Sequence, residues 1–258
     1  MKRRALLIDA GRSSTDDIID GCRVDVMQMK AWLMSNAGGA WDEETEICWL
    51  HNRTLAIIEQ GKRWVDAADF AFVAFSGHGH INEVGGNSHQ IVIVGNCEEV
   101  NFDRLRPNTG KSIVICDACR KVHMREPIIK SFSEGVQKYA RMEARKFTRE
   151  DYKREYLRLL GEADGRYTMY SCSTGQYSGD DKTNGGRFTR TLLSCAGHWY
   201  TDIAGPLQHI TIGHVFGEAM PIVGAKSRAD NANYPQDPKA YSTVRGVSSK
   251  YPFVIHFE

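Results

Sequence analysis

Two short apolar runs each lead to a reactive side chain. Phe70-Ala-Phe-Val-Ala-Phe75 passes through Ser76 and Gly77 to His78-Gly79, and Ser112-Ile-Val-Ile-Cys116 passes through Asp117 and Ala118 to Cys119-Arg120. An apolar run without polar alternation is the pattern of a strand buried on both faces of a parallel sheet. Such strands deliver the residues that follow them to the carboxyl edge of the sheet, where α/β proteins place their sites. One strand end receives an imidazole and the other a thiol. That pairing suits a thiolate nucleophile with a His partner to take its proton.

The remaining segments fit the same frame. Residues 4–10 read as a buried strand, and Ser13-Ser-Thr-Asp-Asp17 supplies cap chemistry for a helix in which Ile18, Ile19, Cys22, Val26, Met29, Trp32 and Leu33 recur at helical spacing. Residues 45–50 predict a strand, 54–65 a helix, 90–94 a short strand and 167–172 another strand. Residues 188–195 and about 209–223 predict helices, and 227–240 reads as a Pro/Asn/Asp loop. Residues 251–258 predict a closing strand, which Pro252 places at an edge. Strands alternating with helices predict the α/β class, as a three-layer α/β/α sandwich with a mainly parallel central sheet. Residues 124–165 differ: charges abound, and Tyr139, Met142, Phe147, Tyr152, Tyr156, Leu157 and Leu160 form a weak helical stripe. They read as a charged connector of helical spacing, solvated on the domain surface.

A length of 258 residues accommodates one large domain or two small ones, and a net charge of +1 excludes bulk attraction to nucleic acid or an anionic membrane. No apolar run reaches the length of a membrane span. The apolar stretch after Arg4 is too short for a signal peptide, and Asp9 interrupts it. Seven cysteines without framework-like spacing predict a reducing, cytoplasmic setting.

Cys119 admits other readings. Cys116-Asp-Ala-Cys119 is formally C-x-x-C, followed by His123, which would suit zinc or redox chemistry. Against it, no second C-x-x-C exists, and strand alternation tucks Cys116 into the sheet. Cys119 as an inert buried thiol fits poorly with its place after the strand, beside Asp117 and Arg120. His78 as a mere partner of local backbone fits poorly with Ser-Gly-His-Gly directly after an apolar run; His80 and His89 lack that placement. Glycine permits close approach of backbone N–H groups, so the amides of Gly79 and Cys119 are the expected oxyanion donors.

Together these residues resemble the caspase and metacaspase superfamily of cysteine peptidases. Asp117-Ala-Cys119-Arg-Lys121 is similar to the caspase signature Gln-Ala-Cys-[Arg/Gln/Gly]-Gly. Asp replaces Gln, as in metacaspases and many bacterial relatives, and Lys replaces the final Gly. Phe75-Ser-Gly-His78-Gly resembles the family's His motif, and Gly21-Cys-Arg-Val-Asp-Val26 resembles its early Gly-Cys-x-x-Asp-Ala segment. The stretch from Tyr170 through Ser171, Cys172 and Gln176 to Asp180 resembles the metacaspase small-subunit segment. Gly186-Arg-Phe-Thr-Arg-Thr-Leu-Leu193 resembles the helix start after it, and Tyr251-Pro-Phe253 the last strand of many bacterial members.

The resemblance implies a caspase-haemoglobinase-like fold in a single domain, 1–258. Residues 1–123 are then large-subunit-like, 124–165 the connector and 166–258 small-subunit-like. It implies His78 and Cys119 as the catalytic dyad, and Asp117, Asp180, Ser171 and Cys172 as substrate-binding residues. Two carboxylates in the pocket favour Arg or Lys before the scissile bond and repel Asp. The family's other pocket acid falls at Thr174. No Arg stands at the matched pocket positions, so a preference for Asp would need Arg12 or Arg187 to fold in. The implied substrate is a protein or peptide, with no organic cofactor and no metal ligand set; calcium supports some metacaspases, and nothing in the sequence marks a site. Activation is expected from a small molecule, a partner chain or dimerisation, in a monomer or a homodimer built on the closing strand. Self-processing is expected within the basic connector. By analogy the setting is bacterial cell death or antiviral defence. A reading of another class is a non-catalytic adaptor of caspase fold, against which the intact His78 and Cys119 argue.

Overall fold

The apolar runs become the middle of a six-stranded sheet. The computed structural model describes residues 1–12, 19–120, 147–203 and 209–257. Strand β1 (Arg3–Ala10) leads through helix α1 (Gly21–Met34) and the short turn α2 (Glu43–Glu46) to β2 (Ile47–His51). Helix α3 (Leu55–Asp66) returns to β3 (Phe70–Gly77), and three antiparallel strands follow: β4 (Gly79–Val84), β5 (Asn87–Val94) and β6 (Glu98–Asn101). Next come β7 (Lys111–Asp117), α4 (Arg149–Glu162), β8 (Arg166–Tyr170) and a small hairpin of β9 (Asp180–Asp181) and β10 (Gly185–Gly186). Helix α5 (Arg187–His198), β11 (His209–Thr211), α6 (Ile212–Asp230), β12 (Lys239–Ser242) and β13 (Pro252–Ile255) complete the chain. The sheet order is β12-β8-β7-β3-β1-β2; β12 is antiparallel to β8, and every other pairing is parallel.

Side chains alternate between the faces of a strand, so each central strand feeds two cores. Ala5, Leu7, Phe70, Phe72, Ala74, Ile113 and Ile115 pack under α1, α4, α5 and α6. Leu6, Ile8, Ala71, Val73, Phe75, Val114 and Cys116 pack on the other face, under α3 and the Val92, Val94 and Val100 side chains of β5 and β6. Two covered faces explain why these runs show no polar alternation. The three-layer sandwich expected from the strand–helix rhythm is the fold observed.

Three expectations need correction. The described part of the connector contains α4, opened by a capping box in which Thr148 and Asp151 satisfy each other's backbone amides. Its outward face carries Arg154 and Arg158 in ion pairs, but Tyr152 and Tyr156 are wholly buried. The Tyr156 ring meets Trp41 edge-on at 6.1 Å, beneath the Arg3 guanidinium, which lies 4.4 Å from the Trp41 ring centre and donates to the Gly39 and Ala40 carbonyls. Gly39, at φ +103, lets the chain pass against the Tyr156 ring. The second correction concerns the closing strand. It holds an edge position, paired with β11 alone in a two-stranded sheet, but it is buried rather than exposed. The third is that the segment read as a loop to residue 240 ends in β12, the outer strand of the sheet. Residues 13–17 of the expected cap, and residues 121–146 with Tyr139, Met142 and His123, lie outside the described residues. Among the described residues no helix is long and apolar enough to cross a membrane. All seven cysteines are free thiols.

If α4 is core rather than cladding, Tyr156→Ala will destabilise the fold by about 3–5 kcal/mol, the range for deleting a buried aromatic. Urea unfolding measures this, and a loss below about 1 kcal/mol, the size of a surface change, would mean that α4 is not docked.

Candidate active site

Strands β3 and β7 run parallel with Ser76 opposite Asp117. His78 and Cys119 therefore each stand two residues beyond that last matched pair, on adjacent strands at one edge of the sheet. Both side chains are partly exposed. The turn after His78 packs closely on the Cys119 turn. A Cβ added to Gly79 would lie 2.8 Å from the Ile91 carbonyl oxygen and 3.0 Å from Ala118 Cβ, so glycine is what permits the approach. The His78 carbonyl accepts from Ile93 N–H at 3.0 Å. Gln90 of β5 donates to the Cys119 carbonyl at 3.1 Å and accepts from Arg120 Nε at 3.0 Å, while the Arg120 guanidinium lies 4.2 Å from the Tyr170 ring centre. The β4–β6 meander is thus stitched to the turn that presents the thiol.

Cys119 Sγ accepts from Ser178 N–H at 3.3 Å. Burial pushes this thiol up to about 11; the Ser178 amide opposes the shift, and the charges of Asp117 and Asp180 add to it. The shift favours the neutral thiol over the thiolate. Cys116 sits inside β7 at 0% exposure, and burial raises its pKa as well. Ser171 and Cys172 were expected to contact substrate. Both are at 0% exposure, directed at the Ala118 carbonyl from 3.4 and 3.5 Å, so they brace the Cys119 turn from beneath.

The 171–179 loop that carries Ser178 is held by a residue the sequence reading missed. Gln236, 1% exposed, donates to the Ser171 carbonyl (3.1 Å) and to Ser178 Oγ (3.2 Å), and accepts from Gly179 N–H (3.1 Å) and Arg187 Nη1 (3.1 Å). Every hydrogen-bonding position of its amide is filled. Asp237 adds bonds to both ends of the Gln176 side-chain amide, through its own N–H (2.7 Å) and its carboxylate (2.8 Å). In sequence this is an unremarkable Pro/Gln/Asp turn, and no local signal marks it.

Beside Cys119 lies a group of carboxylates. Asp117 accepts from Ser178 Oγ (2.6 Å), Thr189 Oγ1 (2.7 Å) and Thr189 N–H (3.2 Å). Asp25 of α1 accepts from Ser76 Oγ (2.6 Å) and Gly186 N–H (2.7 Å). Gly186 separates the two: a Cβ there would sit 2.6 Å from an Asp117 oxygen and 2.9 Å from an Asp25 oxygen. Asp180, on β9, faces Gly21, where any side chain would collide with its carboxylate. Burial and then the Asp117 charge raise Asp25 well above the usual carboxylate range. The same two causes bring Asp180 to about 7. Asp25 was in view, as the Asp of the Gly-Cys-x-x-Asp segment, but nothing in the sequence brings α1 against Gly186.

Neither cation that might have reversed this charge does so. Arg187 is committed to Asp230 (2.5 Å) and Gln236, and Arg12 lies in a separate cavity beside β1. Thr174 is exposed. Among the described residues, no Lys or Arg bonds to Asp25, Asp117 or Asp180, and no group of three or more His, Cys, Asp or Glu is arranged to hold a metal ion. The carboxylates spend their oxygens on hydroxyl and amide donors, which does not fit a calcium cage. Chemically, this edge offers a thiol for attack on an acyl carbon, an imidazole on the adjoining strand end, and carboxylates for a cationic side chain.

The sequence model of the family described as Caspase domain matches residues 2–243. No curated protein matches the chain. Among solved structures the chain is similar to caspase-1 from Spodoptera frugiperda, with a TM-score of 0.57 and 15% identity, over 95% of this chain and 91% of that one. At that identity the likeness speaks for the fold. With the family match spanning nearly the whole sequence, the chain belongs to the caspase-domain family.

Proposed function

We propose that this protein is a cysteine endopeptidase that hydrolyses peptide bonds after Arg or Lys, with His78 and Cys119 as its catalytic dyad. The observation that carries the basic preference is the trio Asp25, Asp117 and Asp180 beside the Cys119 turn, with no neutralising cation among the described residues. A guanidinium or ammonium group supplies the missing charge, whereas an Asp side chain would meet repulsion.

In the proposed reaction His78 takes the Cys119 proton as the sulfur attacks the peptide carbonyl. The amides of Gly79 and Cys119 hold the developing oxyanion. The C–N bond breaks as His78 protonates the leaving amine, and a water molecule, deprotonated by His78, then hydrolyses the thioester and restores the thiol. The carboxylates add a second function. Their charge helps to keep Cys119 protonated at rest, so a cationic side chain entering the pocket removes part of the barrier to forming the thiolate. Correct substrate would thereby switch on its own nucleophile. By analogy with prokaryotic relatives, the proposed setting is regulated cell death or antiviral defence.

A peptide-library cleavage profile tests the reading. Cuts after Arg and Lys are expected from the wild type and none from Cys119→Ala; cuts after Asp, or equal profiles from both proteins, would refute it. Failure of a thiol-reactive Arg peptide to label the chain would favour the adaptor reading.

Asp180 ionises near neutrality, so KM for an Arg peptide should fall as pH rises through about 7. Asp180→Asn should raise KM at pH values above about 7 and flatten that dependence. Identical KM–pH curves would remove Asp180 from the pocket.

Gln236→Ala should lower kcat/KM roughly ten- to a hundredfold, the equivalent of the ~1–3 kcal/mol lost when buried partners go unpaired. It should also shift the pH profile of Cys119 alkylation, because Ser178 N–H is no longer held on the sulfur. An unchanged alkylation profile would confine Gln236 to a structural role.

A further inference from the structure

A second hollow opens on the same edge of the sheet, a cavity of about 360 Å³ at the ends of β1 and β2, bordered by α1 and by Lys182 of the β9–β10 turn. We propose that it binds a small organic phosphate, whose anionic head is held by Arg12, Arg23 and Lys182 and whose body lies on Val24 and Met27. The inference does not rest on peptidase activity.

The charge balance points to an anion. Arg12, Arg23 and Lys182 all line the cavity. Among the described residues none of their side chains takes part in a hydrogen bond or ion pair. Among the described residues two carboxylates share the lining, and only one of them is available to oppose the cations. Asp9 is 1% exposed and already accepts from Trp49 Nε1 at 2.5 Å and from the His51 Nδ1 side of that ring. Asp20 remains, one exposed carboxylate against three cations.

The rim is built rather than incidental. Asp9 fixes the His51 ring through Nδ1, which leaves the Nε2 edge on the outward side, 3.4 Å from Asn52 Nδ2. Asn52 is held at φ +46, a left-handed conformation uncommon for any residue but glycine. Its N–H donates to the Asp9 carbonyl at 2.8 Å, and its side-chain oxygen accepts from Arg12 N–H at 3.4 Å. A backbone held in that region by several partners is a feature that clusters at binding sites. The position agrees, since α/β sheets bind ligands beyond the carboxyl ends of their strands.

Size and lining select the ligand class. The volume falls in the range of small-molecule sites, about 300–1,000 Å³, and is generous for a bare phosphate. Met27, 51% exposed, and Val24 add apolar surface to the same lining. A phosphate carrying an apolar or aromatic body fits both.

Isothermal titration calorimetry on the full chain, with AMP and with inorganic phosphate as probes, tests the proposal. AMP should bind saturably and more tightly than phosphate, with affinity falling as salt rises. Arg23→Gln and Lys182→Gln should each weaken AMP at least tenfold while leaving the melting temperature of the unliganded protein unchanged. Absent AMP binding, equal binding by the variants, or phosphate binding as tightly as AMP would each overturn it. A lower melting temperature in the unliganded variants would also overturn it, by showing that these cations serve the chain's own carboxylates. So would variants that leave AMP binding intact but lose cleavage of peptides bearing an acidic residue, which would make the cavity a peptide subsite.

Discussion

The register between β3 and β7 is the constraint on which the rest of the edge depends. Ser76 faces Asp117 across the parallel pair, and both members of the proposed dyad, His78 and Cys119, follow two residues beyond that match. A slip by one residue would exchange the faces of a strand, carrying Phe75 or Cys116 out of the core under the meander and into the helical core. Burial on both faces makes such a slip very costly. The same register gives Ser76 its reach to Asp25 and Asp117 its reach to Ser178 and Thr189. Strand pairing therefore fixes α1, α5 and the 171–179 loop around one point.

The carboxylates at that point are an expensive arrangement. Burying charged groups without a counter-ion is unfavourable, and the fold meets it with hydroxyl and amide donors and with glycines that leave room. Gly21, Gly185 and Gly186 all stand where a side chain would strike Asp25, Asp117 or Asp180. A structure built only for stability would place an Arg there. Arg187 is near enough in sequence and is instead drawn away by Asp230 and Gln236. The unrelieved charge is the feature a basic substrate would complete.

The central strands were legible because burial on both faces leaves an unmistakable run of Val, Ile and Phe. Strand β12 was not: Lys239-Ala-Tyr-Ser242 is short, mostly exposed and preceded by a Pro-rich turn, so it carries no apolar signature. Helix α4 was hidden by its own charges, since two buried tyrosines one turn apart are outnumbered by the ionic residues of its outer face. At the site, His78 and Cys119 could be picked out because each follows its strand directly. Gln236 and the Asp9–His51 pair could not, because their partners come from distant segments and nothing local distinguishes them; Asp25 stood out in its Gly-Cys-x-x-Asp segment, but its approach to Gly186 did not.

Helix α1 forms a partition between two opposite electrical environments. Asp25 faces the carboxylate group, while Arg23 and Met27 face the cavity of Arg12 and Lys182. Residues of opposite charge thus stand on faces of one helix, whose diameter is about 10 Å. That width is close to the screening length of physiological salt, roughly 8 Å. On the two proposed readings, physiological salt would let the sides act as separate wells, one for cations and one for anions. In dilute buffer each would be felt through the helix by the occupant of the other, so the ionic strength of the medium sets whether this edge behaves as two sites or as one dipolar surface.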